Sequence, residues 1–244
     1  MIPYALQTLQ FIKEAQTDDK DAVLARYGKA GTAASMAGFG ASLLAAKNSM
    51  GHLMSDNAIT ADEAARLVPD LSAKFKGTFS NIKGKGPGFN PVDNVINAGS
   101  GIDEAILAHE LGHANAGKKY KKSLMYALKG ANIAGKGATY SNVYQGGRMF
   151  LDKKDILKDS ETKDKRMANL QTGTGVLALS RLPALAEETR ANYHALSSAA
   201  KRGKLKQYAK TLAPGYGTYV AKAAVPTIGY LGLRAYNKQD KPEK

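Results

Sequence analysis

Apolar residues recur at helical spacing along most of this chain, and polar, glycine- or proline-rich breaks separate them. The spacing predicts helices over 4–16 and 18–29, with Pro3 at a first helical position and Thr17 as a cap. From Ala30 to Ala46 there is no charge, many residues are small, and the run falls just short of a membrane span. Thr60-Ala61-Asp62-Glu63 has the form of a capping box and predicts a helix that stops before Pro69. Residues 76–90 hold five glycines or prolines and read as a loop. Pro91 to Asn97 alternates loosely and predicts a short strand, at a sheet edge because proline opens it. Ser100 or Asp103 then caps a helix over the following residues.

Two Ala/Gly-rich helical segments, 119–147 and 165–182, flank a charged stretch from Asp152 to Lys165. Pro183 suits the start of a further helix, Leu182 to Arg202, which Gly203 closes. Residues 211–236 are apolar and rich in Gly, Pro and aromatics, Lys222 interrupts them, and the polar tail from Asn237 is expected to fray. The pattern predicts a mainly α (α+β) protein with a small sheet. It divides into an N-terminal helical extension (1–55), a core (56–210) and an apolar C-terminal segment with a polar tail (211–244).

An apolar share of 43% in 244 residues is enough for a buried core. With no cysteine, disulfides and thiolate ligands are excluded, so a metal site must use His and carboxylates. The formal charge of +14 attracts anionic partners. Its clusters (Lys118 to Lys122, Lys153 to Arg166, Lys201 to Lys210) read first as solvated helix faces. They hold too few aromatics, with no Trp in the chain, for a single-strand stacking platform, so nucleic acid is disfavoured beside an anionic membrane surface. The start, Met1-Ile2-Pro3-Tyr4, lacks a signal-peptide pattern, which predicts a cytoplasmic or membrane-associated location.

Chemistry concentrates in Asp103 to Gly117, DEAILAHELGHANAG. His109 and His113, four residues apart on a helix, share one face and can clasp one cation. Glu110 points beside that cation, where it can take a proton from an activated water. Gly112 leaves room for another element to pack closely, and Ile106, Leu107 and Leu111 anchor the helix. A catalytic zinc needs a third protein ligand, and Glu187 and Glu188, set in an apolar helical stretch, are the best candidates. The bland alternative for these acids is a surface acidic pair bonded to Arg190 or a nearby Lys. The reaction also needs an oxyanion donor, for which His194, Tyr193 and Arg190 are available, with His194 preferred.

The order of these motifs resembles the gluzincin peptidases, in particular the family of the heat-shock protease HtpX and the CAAX prenyl endopeptidases. The family's HExxH helix, pair of hydrophobic segments and E-x-x-A-D-x-x-A motif are similar to His109–His113 and Glu188-Thr189-Arg190-Ala191-Asn192-Tyr193-His194-Ala195, across about residues 90–200. The resemblance implies a zincin-like core and a zinc metalloendopeptidase that hydrolyses peptide bonds with a metal-activated water. One Zn2+ per chain would be held by His109, His113 and Glu188, with Glu110 as general base and a peptide or protein as substrate. Asn192 stands where the family has Asp, which lowers the expected support for a ligand histidine. The family's two segments are transmembrane; here they are shorter and carry Lys129, Lys136 and Arg148.

A rival expectation is a basic, membrane-associated structural or assembly protein with a decayed peptidase site, motivated by the Ala/Gly-rich runs. Gly130 to Gly137 fits GxxxxGK but lacks the Ser or Thr that would bind magnesium, so nucleotide binding is set aside. His52 reads as structural.

Overall fold

A computed structural model describes residues 30–44 except 32 and 35, 57–115 except 83 and 84, 118–151 and 160–238. The helices expected over 4–16 and 18–29, and His52, lie outside these residues. Among these described residues the fold is mainly helical with one small three-stranded sheet. In chain order the named elements are α1 (Ala61–Leu67), α2 (Pro69–Ser72), β1 (Thr78–Ser80), β2 (Gly88–Asn90), β3 (Val95–Asn97), α3 (Glu104–Ala114), α4 (Lys118–Leu151), α5 (Ser160–Lys201) and α6 (Leu205–Lys238).

Thr60 caps α1, its Oγ1 accepting from the Glu63 N–H at 3.1 Å, but the box closes only halfway. The Glu63 carboxylate instead accepts from the Gly101 N–H at 3.2 Å and ties α1 to the turn before α3. Asp103, one of the two expected caps, accepts from Ala105 N at 2.8 Å and opens α3.

The sheet has the order β1-β3-β2, with β3 parallel to β1 and antiparallel to β2. This corrects two expectations. Residues 76–90 contain two strands, β1 and β2, each of three residues around one phenylalanine. Three residues are too few to show alternation, and the flanking glycines mask them. The strand expected from Pro91 is Val95–Asn97, and it is the central strand, paired on both sides. Pro91 belongs to a turn ahead of it, so its missing N–H does not touch the ladder.

Pro183 does not begin a helix but lies inside α5. Likewise the Gly- and Pro-rich 211–236 continues in one helix, α6. An interior proline removes one backbone bond, and packing of the flanking turns offsets that loss. At the end of α5, Lys204 N bonds Ala199 O at 2.9 Å and Gly203 N bonds Ala200 O at 3.2 Å, with Gly203 at φ +70°. That is a Schellman ending, which requires the left-handed backbone that glycine adopts most readily.

Two compact units emerge, and they differ from the linear division expected at 55/56 and 210/211. One contains Ala131–Arg181 and the chain from Lys222; the other contains Ala37–Gly130 and Leu182–Ala221. Within the first, Gly135 faces Leu177 and Ser180, and Gly175 faces the Tyr230 ring. Asn142 donates to Thr174 at 3.1 Å, and Asn237 to Gln171 at 2.6 Å. Among the described residues, no helix is long and apolar enough to cross a membrane.

The second unit is built on Ile59, Val68, Leu71, Ile96, Leu107, Leu111, Ala195, Ala199 and Tyr208, all buried. One polar knot fixes α3 against α5. Arg202 donates to Glu104 at the start of α3, to the Leu67 carbonyl at 2.6 Å and to the hydroxyl of buried Tyr208. Glu104 also accepts from Lys204 at 2.7 Å and from Tyr208 at 3.0 Å. Removing Arg202 takes the charged donor from the Leu67 carbonyl, the Tyr208 hydroxyl and Glu104 at once, leaving Glu104 only Lys204 and Tyr208. Arg202→Leu is therefore expected to lower unfolding stability by on the order of 3 kcal/mol, read from denaturant titration.

Candidate metal centre

Three side chains from two helices converge. His109 and His113 project from one face of α3, and Glu188 from α5. The helices approach closely because Gly112 has no side chain. A Cβ there would lie 2.6 Å from the Ala191 carbonyl oxygen and 3.1 Å from its Cα. This is the close packing that the glycine predicted.

His109 Nε2 lies 3.2 Å from Glu188 Oε2, His113 Nε2 lies 3.7 Å from Glu188 Oε1, and the two Nε2 atoms are 3.1 Å apart. Tetrahedral N and O ligands at zinc distances stand about 3.3 Å apart. The three observed separations bracket that value, so the donor set fits one such ion.

The outer nitrogens are also engaged. His109 Nδ1 is 2.9 Å from Asn192 Oδ1, and His113 Nδ1 is 2.9 Å from Glu187 Oε1. Both partners are acceptors, so each Nδ1 carries the proton and donates. The two Nε2 lone pairs then face each other, an arrangement that repels unless a proton or cation lies between them. Glu187 is fixed in turn by Arg190, whose Nη2 and Nε donate to its oxygens at 2.6 and 3.0 Å. Arg190 Nη2 also donates to the His113 carbonyl at 3.1 Å.

The ionisation states follow from these contacts. Burial acts to raise the Glu187 carboxyl, but hydrogen bonds with His113 and Arg190 and their charges bring it down to about 2. Burial opposes ionisation of Glu188 as well. Its hydrogen bond with His109, the two imidazole charges and a hydrogen bond from Tyr219 together hold it below the ordinary value. Burial pulls His109 down, yet the contact with Glu188 and the nearby Glu110 charge raise it overall. Glu110 is buried, and burial pushes its carboxyl up, against the histidine charges and a hydrogen bond from the Phe89 N–H of β2.

The structure thus brings together His109, His113, Glu188, Glu110 and Asn192. Glu187 is not among the converging ligands; it supports His113 and pairs with Arg190, so the acid-to-Arg190 bond weighed as the bland alternative is present, though largely buried. His194 lies outside the cluster. Its ring sits edge-on to Tyr193 with centroids 5.8 Å apart, and burial, Arg190 and Lys74 lower its pKa. Six residues after Glu188, the helix has turned it away from the ligand face.

Two contributors had no clear signal in the sequence. Tyr219 comes from the apolar stretch 211–236, which the sequence pattern sets apart from the core, and the Phe89 donor is a backbone group in a stretch whose pattern predicts a loop. Comparison with known proteins finds no matching family model, no similar curated protein and no similar solved structure.

Proposed function

We propose that this protein is a zinc-dependent endopeptidase with a zincin-like core, the reading that the resemblance to gluzincins implied. The observation that carries it is the pair of Nε2 atoms 3.1 Å apart, each with its Nδ1 already committed to an acceptor, beside the Glu188 carboxylate. His109, His113 and Glu188 would hold the zinc ion, which would supply Lewis acidity toward a scissile carbonyl and lower the pKa of a water.

The chain's own groups account for the remaining steps. Glu110 takes the proton of the attacking water and delivers it to the leaving amine; its raised carboxyl pKa suits both transfers. The Phe89 N–H holds the Glu110 carboxylate in place. The Tyr219 hydroxyl, hydrogen-bonded to Glu188 and within reach of the Glu110 charge, takes the oxyanion-donor role first assigned to His194. β2 lies at an edge of the sheet and can hydrogen-bond an extended peptide. An extended peptide added beside β2 passes Glu110, because Phe89 belongs to that strand.

The test is incubation of zinc-loaded protein with a mixed peptide pool, reading new termini by mass spectrometry. New termini that disappear with a chelator and return with added zinc support the reading. A pool left uncut by metal-loaded protein overturns it.

A further inference from the structure

One face of α4, within Ala131–Arg181, carries large apolar side chains that are mostly exposed. Within the unit that contains Ala131–Arg181, Gly135 and Ala138 are buried, with Gly135 against Leu177 and Ser180 of α5. That contact fixes how α4 is turned. Ile133, Gly137, Tyr140 and Tyr144 recur at four- and three-residue steps on the side away from it. Ile133 is 73% exposed, Tyr140 76% and Tyr144 61%, with neighbouring Val143 at 68%. Four large apolar side chains along one helix are a contiguous patch rather than scattered surface residues.

The charges say what covers it. The whole of α4, Lys118–Leu151, contains no Asp or Glu, while Lys129, Lys136 and Arg148 lie on it; this unit's acids, among them Glu161 and Asp164 at the start of α5, belong to other segments. Lys136 is exposed three residues after Ile133 and four before Tyr140. A second copy docked on this stripe would bring together two faces with bases and no acid to pair them. Nucleic acid would meet Ile133 and Val143, which neither stack on a base nor bond a phosphate. An anionic bilayer satisfies both properties at once, with lipid tails for the aliphatic groups, an interfacial level for tyrosines and headgroups for the lysine.

We infer that the Ile133–Tyr144 face of α4 lies flat on anionic lipid and docks the protein to a membrane surface without spanning it. The absence of a membrane-crossing helix among the described residues agrees with contact in the plane. This surface is independent of the metal centre, so either proposal can fail alone.

The experiment is co-sedimentation of the full chain with vesicles of phosphatidylcholine alone or mixed with phosphatidylglycerol. The chain is expected to bind the mixed vesicles, less at high salt, and to leave pure phosphatidylcholine largely unbound. Ile133→Ser with Tyr140→Ser is expected to weaken partitioning roughly a hundredfold, each lost apolar insertion being worth about one order of magnitude. Lys136→Glu is expected to weaken it roughly tenfold, and it keeps the test decisive if the double variant fails to fold by circular dichroism. The inference is overturned if mixed vesicles are not bound, or if Lys136→Glu leaves binding unchanged. It is also overturned if the stripe instead mediates self-association that Ile133→Ser abolishes, or DNA binding without vesicle binding.

Discussion

Glu110→Gln is expected to leave zinc in place and to cut peptide hydrolysis by about 10²–10⁴-fold. Glutamine has the same shape, and its amide oxygen still accepts from the Phe89 N–H that now holds Glu110. What it lacks is a lone pair basic enough to take a proton from water. The carboxyl is buried and is not among the three converging donors, so the substitution leaves that donor set intact. Burial pushes this carboxyl up, which is a cost of ionising it in the folded protein, and the neutral amide removes that cost. The thermal midpoint should therefore not fall. Initial rates on a cleaved peptide, with metal content measured on the same sample, check both halves. Full activity in the variant would place the base elsewhere.

The second large effect is on metal affinity, and it separates the two adjacent glutamates. Glu188→Ala removes a proposed ligand and is expected to weaken zinc by well over a hundredfold, because loss of an outer partner alone costs about 10–100-fold. Glu187→Ala removes such a partner, the acceptor of the His113 Nδ1–H, and belongs in the 10–100-fold range. Asn192→Asp adds charge behind His109 and is expected to tighten binding by up to about tenfold. Competition against a chromophoric chelator gives all three values. Equal losses for Glu187→Ala and Glu188→Ala would contradict the division of roles. Glu187 is held at about 2, so its support for His113 is fully present above the ordinary carboxylate value and fades only as pH falls toward 2.

Much of the centre was legible because its residues obey helix geometry. The four-residue histidine spacing, the small residue between the rings and the motif 75 residues on (188 − 113) were all in the sequence, and the helices bring them together. Even the departure at Asn192 falls on the position that bonds His109. What stayed hidden has no periodic signature. The strands β1 and β2 are three residues each and sit among glycines, so their pattern is too short to read. Pro183 and the glycines and prolines of 211–236 argue locally against helix, yet tertiary packing carries α5 and α6 through them. Tyr219 was missed for the same reason: a tyrosine in an apolar stretch reads as core until the fold brings it to Glu188. Histidine chemistry is conspicuous in a sequence and favours His194 as a donor there, whereas the direction of its side chain depends on how α5 is turned.

X-ray absorption at the zinc edge of the loaded protein probes the arrangement of donors most directly. The expected spectrum has a four-coordinate shell of nitrogen and oxygen at about 2.0–2.1 Å, with the outer scattering of two imidazoles, and His113→Ala removes one of them. Protein that takes up no zinc, or a shell of oxygens without imidazole, would contradict the account.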